Sequence, residues 1–368
     1  MQNNFHLIRF VAASLVLYGH CYPLTGKGNY DYLTILSQGI FPTSHMGVCI
    51  FFIVSGYLVS QSLLRSTSVH FHLNTKYSFN QKILIQKNVV FDFLWKRILR
   101  IFPALIVVLI LSVFLLGPIC TSLSIREYIL SSETYQYFKL IKLYPFVQDK
   151  LPRVFENNPE KAVNGSLWTL PYEITMYLFL VFLQIINLFQ KRNTLLSLFL
   201  FSLPFTVYFY FNYQPTKLIP MLHISFSYML EFGIFFMFGS LFFLFKDKIP
   251  LKFVYFIIMI FLWFGLGLSH ITSSVMIKIV SFMALPYIVL YLAQLKGSIN
   301  NFSKLGDFSY GIYIYAYPVQ QMIINFFGTN ISIDKMFIYS FLIVLLLSIL
   351  SWFLVEEKAL KLKLIKLA

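Results

Sequence analysis

Ten apolar runs, each near the length needed to cross a bilayer, occupy most of this chain: residues 5–24, 46–64, 98–118, 166–189, 194–212, 226–245, 252–268, 275–294, 308–328 and 335–355. The hydrocarbon core of a membrane is about 30 Å thick, so a helix rising about 1.5 Å per residue needs about 20 apolar residues to span it. In that solvent a backbone must satisfy its own hydrogen bonds, and runs of this length do so as helices. Composition agrees, because 58% hydrophobic and 12% charged residues make 368 residues far too apolar for a soluble domain. The expectation is an all-α membrane protein of about ten transmembrane helices. It comprises one integral membrane domain over 1–355 and a short basic tail over 356–368, with no fused extracytoplasmic domain. The first run has no long basic leader and no small-residue cleavage pattern, so it reads as a retained helix.

A formal charge of +15 would suit nucleic acid, but the placement of the charges excludes that partner. When the segments between runs are assigned to alternate sides, one side collects Arg9, the basic residues of 65–100, Lys191, Arg192, Lys246, Lys248, Lys252, Lys296, Lys304 and the tail lysines. This is the positive-inside bias, and it puts both termini in the cytoplasm. Cys21, Cys49 and Cys120 form no spaced pair, so neither a disulfide framework nor a metal site is expected. Cys21 reads as a small buried apolar residue.

Arg9 and His20 are eleven residues apart within the first run. Eleven steps of about 100° leave a residual rotation of about 20°, so both side chains share one helix face, about 16 Å apart along the axis. Alone, Arg9 reads as a residue snorkelling to the surface and His20 as an end cap. Two costly polar groups on one apolar face instead indicate a functional site. Glu173 and Glu231 are read as the only acidic residues well inside the runs, and their depth places them in one layer with His20. A carboxylate there can hold one imidazole nitrogen and leave the other to accept a proton. Pro171 is expected to loosen the helix beside Glu173. Glu231 reads equally as a structural polar contact.

Lys96, Arg97 and Arg100 stand at the expected entrance of the third run. Arg97 and Arg100, three apart, lie on neighbouring positions of one face suited to phosphate; such a cluster is also an ordinary topology signal. Together with Arg9 they make a positively charged vestibule. Ser55 and Gly56 read as packing residues. His45 falls at the outer mouth of the second run, placed either to touch a substrate or simply to be solvated. His6, His70, His72, His223 and His270 receive no role. The external segment 119–165 is where an acceptor could be met, or is a solvated loop.

Taken together, these segments resemble the acyltransferase 3 family of integral membrane acyltransferases over nearly the whole chain. Arg9 and His20 look like its Arg-x10-His signature, and Phe51 through Leu58 resembles its Ser-Gly-containing second helix. Lys96 through Pro103 resembles its basic entry to helix three. Ser166, Leu167, Trp168, Thr169, Leu170 and Glu173 look like its Ser-Leu-Trp-Ser/Thr-Leu-x-x-Glu element, and Leu305, Gly306, Ser309, Tyr310 and Tyr313 resemble its Gly-x-x-Ser-Tyr-x-x-Tyr segment. Ala316 stands where many members carry histidine, so no role transfers there.

The resemblance implies an O-acetyltransferase of the bacterial inner membrane. Its donor is cytoplasmic acyl-CoA, most simply acetyl-CoA as co-substrate with no permanently bound cofactor. Its acceptor is a sugar hydroxyl of a surface polysaccharide, such as lipopolysaccharide, or of a lipid-linked precursor. In this reading His20 is the general base or a transient acyl carrier, and Glu173 orients it. Arg9, Arg97 and Arg100 hold the donor, while His45, Glu231 and Trp168 are acceptor-side candidates. The rival is a transporter or flippase for an anionic glycolipid using the same buried Arg and Glu.

Overall fold

The computed structural model describes residues 3–28, 30–70, 79–144, 149–212, 218–219, 222–268 and 274–362. The ten apolar runs are ten long helices: α1 (Phe5–Leu24), α2 (Thr43–His70), α3 (Phe79–Leu111), α4 (Leu170–Ile185), α5 (Arg192–Asn212), α6 (Phe226–Leu244), α7 (Phe253–Leu268), α8 (Ser274–Gln294), α9 (Ser309–Phe327) and α10 (Ile333–Ser351). Among the described residues eight spans are long and apolar enough to cross a membrane, and the protein is an all-α multi-pass membrane protein. His72, His270 and the end of the basic tail lie outside the described residues, as does the side chain of His70. Among the described residues the sole strand pair is a short hairpin, Leu218–Ile219 with Ile224–Ser225.

Lipid gives helices no hydrophobic reason to associate, so close packing must come from small residues that let backbones meet. The centre of the bundle is built this way. A Cβ on Gly56 of α2 would collide with the Phe236 carbonyl of α6, and one on Gly239 of α6 with the Ile53 carbonyl of α2. Ser240 Oγ completes the seam by donating to the Gly56 carbonyl at 3.2 Å. Gly47 of α2 lies against the Ala12 carbonyl of α1, and Gly311 of α9 against Ser348 of α10. Gln320, fully buried on α9, donates to the Leu17 carbonyl of α1 at 2.8 Å. That bond locks α1 to α9 one turn before His20. Cys21 is buried beside it, its sulfur 3.2 Å from the same amide. By contrast α5 buries little, with only 6% of its apolar stretch fully buried, as suits a helix with one side facing lipid.

Two departures from the sequence expectation matter for the site. First, α3 begins at Phe79, so Arg97 and Arg100 lie well inside a helix of 33 residues and not at its entrance. Second, the fourth span opens with a 3₁₀ turn, Gly165–Thr169, before α4. Its rise of about 2.0 Å per residue carries Glu173 further along the bundle than an α-helical count does. Pro171 occupies the first turn of α4, where its missing N–H is not needed; it starts the helix and does not loosen it. The segment ahead of this turn is docked on α9. Asn164 Nδ2 donates to the Ile314 carbonyl at 2.8 Å, and Asn158 Nδ2 to Gln321 Oε1 at 2.8 Å.

Candidate functional site

Two cavities lie back to back within the bundle. One, of about 100 Å³, is lined by Arg9, Arg97, Arg100, Glu173, Tyr177 and Tyr310 together with Ser55. The other, of about 580 Å³, is lined by His20, His45, Trp168, Tyr228, Glu231 and Lys278. Val48 of α2 and Tyr313 of α9 face both and form the wall between them. The helix face shared by Arg9 and His20 therefore runs from one cavity to the other.

In the arginine cavity, Asp307 organises the cations. Its carboxylate accepts from Arg9 and, at 2.7 Å, from Arg100, and Ser309 Oγ holds its other oxygen at 2.5 Å. Burial works against the Asp307 charge, but the guanidiniums of Arg100 and Arg9 hold its carboxyl well below the usual carboxylate range. Glu356, buried at the end of a π-helical turn, lies 3.6 Å from the far side of Arg100. Arg97 sits between the rings of Phe93 and Tyr177, each 5.8 Å from its guanidinium carbon. Its Nε has no hydrogen-bond partner among the described residues. Glu173 accepts from the Tyr177 hydroxyl, which Ser55 Oγ approaches at 3.3 Å. The vestibule expected to be simply positive thus has acidic partners: Glu173 lines it beside the three guanidiniums, and Asp307 and Glu356 pair with Arg9 and Arg100. Ser55 faces this cavity and is not a packing residue, whereas Gly56 is one.

In the histidine cavity, His20 packs edge-on against Tyr317 with centroids 5.3 Å apart, and its buried Nδ1 has no partner among the described residues. That leaves Nε2 as the nitrogen for the cavity. His45 Nε2 meets Glu231 Oε1 at 2.7 Å, and the buried Lys278 ammonium meets the same oxygen at 2.5 Å. Trp168 packs among Tyr172, Tyr228 and Phe232 on one wall. His45, Cys49 and Glu231 bring three ligand-type atoms within 4.8 Å of one another. The Lys278 ammonium already holds the carboxylate oxygen, so a divalent ion there would meet a fixed like charge, and the set does not fit a metal site.

A family model described as an acyltransferase domain matches residues 2–357. The chain belongs to the acyltransferase 3 family. It is 29% identical to an O-acetyl transferase of Shigella phage Sf6, an alignment covering 97% of this chain and 96% of that protein. It is 30% identical to nodulation protein 10 of Rhizobium leguminosarum bv. viciae over 48% of this chain and 42% of that one. No solved structure matches it.

Within this acyltransferase, Arg9, Arg97 and Arg100 converge as expected, and His20, His45, Trp168 and Glu231 share one cavity. Glu173 does not join His20. The carboxylate–imidazole pair expected between Glu173 and His20 is made instead by Glu231 and His45. The depth count alone could not separate the two glutamates, because it ignored the 3₁₀ entry and the face toward which Glu173 turns. Glu173 and Glu231 are the only acidic residues inside the runs, but Asp307 and Glu356, each one residue outside a run, are buried as well. Three ionic residues escaped sequence reasoning. Lys278 is a lone cation inside the run 275–294, a signal of the same kind as Arg9. Asp307 lies within the Gly306-to-Ser309 element, while Glu356, one residue past the last run, carried no signal of its own.

Proposed function

We propose that this membrane acyltransferase is an O-acetyltransferase. It takes acetyl from cytoplasmic acetyl-CoA and transfers it to a sugar hydroxyl of a bacterial surface polysaccharide or its lipid-linked precursor. Both termini face the cytoplasm in the inner membrane. The observation that carries this reading is the pair of cavities that share Val48 and Tyr313 in their linings. One offers guanidiniums suited to the donor's phosphates, the other an imidazole with a free nitrogen beside a cavity roomy enough for a sugar. The name of the phage relative, an O-acetyl transferase, supports the same class.

In this reading Arg97 and the Arg9–Asp307–Arg100 unit seat the donor, and the thioester reaches the wall at Tyr313. His20 Nε2 takes the proton of the sugar hydroxyl as its oxygen attacks the thioester carbonyl carbon. The C–S bond then breaks, and the imidazolium returns the proton to the leaving thiolate. Membership in an acyltransferase family supports this reading over a transport path for the buried charges.

Mass analysis of surface glycans from cells with the protein, without it, and with His20→Ala tests the proposal. The acetyl increment is expected with the native chain alone, at equal membrane abundance. Retention of the increment with His20→Ala rejects His20 as the base, and its absence with the native chain rejects the reaction.

A further inference from the structure

The sequence suggested a carboxylate to orient His20, yet the imidazole makes no hydrogen bond among the described residues: its Nδ1 is buried and unpartnered. A general base must still hold its nitrogen within about 2.6–3.2 Å of the group whose proton it takes. The outer torsion of a histidine side chain is broad and has no steep wells of its own. The rotation of the ring is therefore set by what packs on it.

Tyr317 of α9 packs there, with ring centroids 5.3 Å apart and planes at 82°, the edge-to-face arrangement that aromatic rings favour. Tyr317 is buried and lines neither cavity, so it meets the base and not the substrate. Its ring has a fixed seat in turn. A Cβ on Gly165 would lie 2.6 Å from Tyr317 Cε2 and 2.7 Å from its Cζ, so the ring rests on bare backbone of the entry turn of α4, in space that any side chain at 165 would fill. That backbone is pinned to α9. Asn164 Nδ2 donates to the Ile314 carbonyl at 2.8 Å, Asn164 Oδ1 accepts from the Ser166 N–H at 3.2 Å, and the Tyr313 hydroxyl donates to the Ser166 carbonyl at 2.7 Å. Tyr313, Tyr317 and Gln320 follow one another at helical spacing and share one face of α9. Tyr313 grips the entry turn, Gln320 grips α1 at Leu17 and Cys21, and between them Tyr317 touches Gly165 of the turn and His20 of α1.

Resting on the acetyltransferase reading with His20 as its base, we propose that Tyr317 and Gly165 are positioning residues of the reaction. The Tyr317 ring, seated on the Gly165 backbone, sets the rotation of the imidazole and so aims Nε2 at the acceptor hydroxyl. An aromatic contact takes the orienting part that a carboxylate was expected to play, and the entry turn of α4 acts on the base through that one ring.

Transfer of label from acetyl-CoA to the glycan of membranes from cells lacking the protein, catalysed by the purified chain, gives kcat and the acetyl-CoA KM of each variant. Tyr317→Leu keeps an apolar side chain and removes the ring. It is expected to lower kcat by about tenfold to a hundredfold, the order of loss that a misplaced group brings, with the acetyl-CoA KM unchanged because the arginine cavity is untouched. Tyr317→Phe keeps the ring and is expected to recover the native kcat. Gly165→Ala drives the ring from its seat and is expected to lower kcat in the same way, again at unchanged KM. Because both changes act through one ring, the double variant Gly165→Ala, Tyr317→Leu should lose no more than Tyr317→Leu alone, whereas independent packing defects would add in free energy. Native kcat in Tyr317→Leu or in Gly165→Ala, an equal loss in Tyr317→Phe and Tyr317→Leu, a KM that rises as kcat falls, or a double variant that multiplies the two losses overturns the proposal and leaves the acetyltransferase reading standing. No transfer by the native chain removes that reading, and this one with it.

Discussion

Asp307 stands just outside the apolar run that begins at Phe308, where an acidic residue carries little signal, yet it holds two of the three arginines of the arginine cavity in place. Two guanidiniums brought together without it would repel. Asp307→Asn keeps the shape and removes the charge, and breaking a buried ion pair on one side costs about 3–5 kcal/mol. Lowered thermal stability in detergent and weakened acyl-CoA binding are both expected, read by thermal shift with and without the donor. The sign of the pH effect follows from the depressed Asp307 carboxyl. Its stabilisation is fully present above the unfolded value of about 4 and is lost as pH falls below that. The Asn variant should lack this acid-sensitive part. Arg9→Lys is the milder probe at the other end of the pair, because lysine keeps the charge and loses the planar fork. Donor KM is expected to rise by about tenfold with little change in protein abundance; unchanged KM assigns Arg9 to structure alone.

At the scale of elements, the site depends on how closely α2 approaches α6 and α1. Gly56 and Gly239 let two backbones touch, and this seam sets Ser55 toward the arginine cavity and His45 toward Glu231. Gly56→Ala places a methyl group against the Phe236 carbonyl, which has no flexible end to yield, so a loss of about 1–3 kcal/mol is expected. Gly265→Ala on α7 is the natural control, since nothing lies within 4 Å of its Cβ position. Thermal unfolding of the two purified variants should separate them clearly, and equal stability would remove the seam from the account. α1 carries a different load. Locked to α9 by Gln320, it presents Arg9 and His20 to different cavities, so the eleven-residue spacing is a distance between two compartments.

For the whole molecule the decisive feature is the thin wall between the cavities. Val48 and Tyr313 belong to both linings, and Tyr313 is held by the entry turn of α4: its hydroxyl lies 2.7 Å from the Ser166 carbonyl and 2.5 Å from Thr169 Oγ1. In the proposed reaction the thioester must pass this point. Val48→Trp should obstruct it, lowering acetylation by more than tenfold while acyl-CoA binding is retained, as read by thermal shift with the donor. Full transfer in that variant would show that donor and acceptor meet elsewhere.

Spans, helix class and the Arg9–His20 face were legible in the chain itself, because hydrocarbon thickness and helical period are fixed and each apolar run answers to them alone. The convergence of Arg9, Arg97 and Arg100 was legible as well, since all three carry charge into apolar surroundings. Which acid meets which base was decided only by the tertiary structure. Glu173 turned to Tyr177, Glu231 took His45 and Lys278, and Asp307 joined Arg9 to Arg100 across nearly the whole chain. Such pairings depend on helix rotation and neighbour choice, and these are set by small-residue seams and a 3₁₀ entry turn whose effects reach far beyond any local window of sequence.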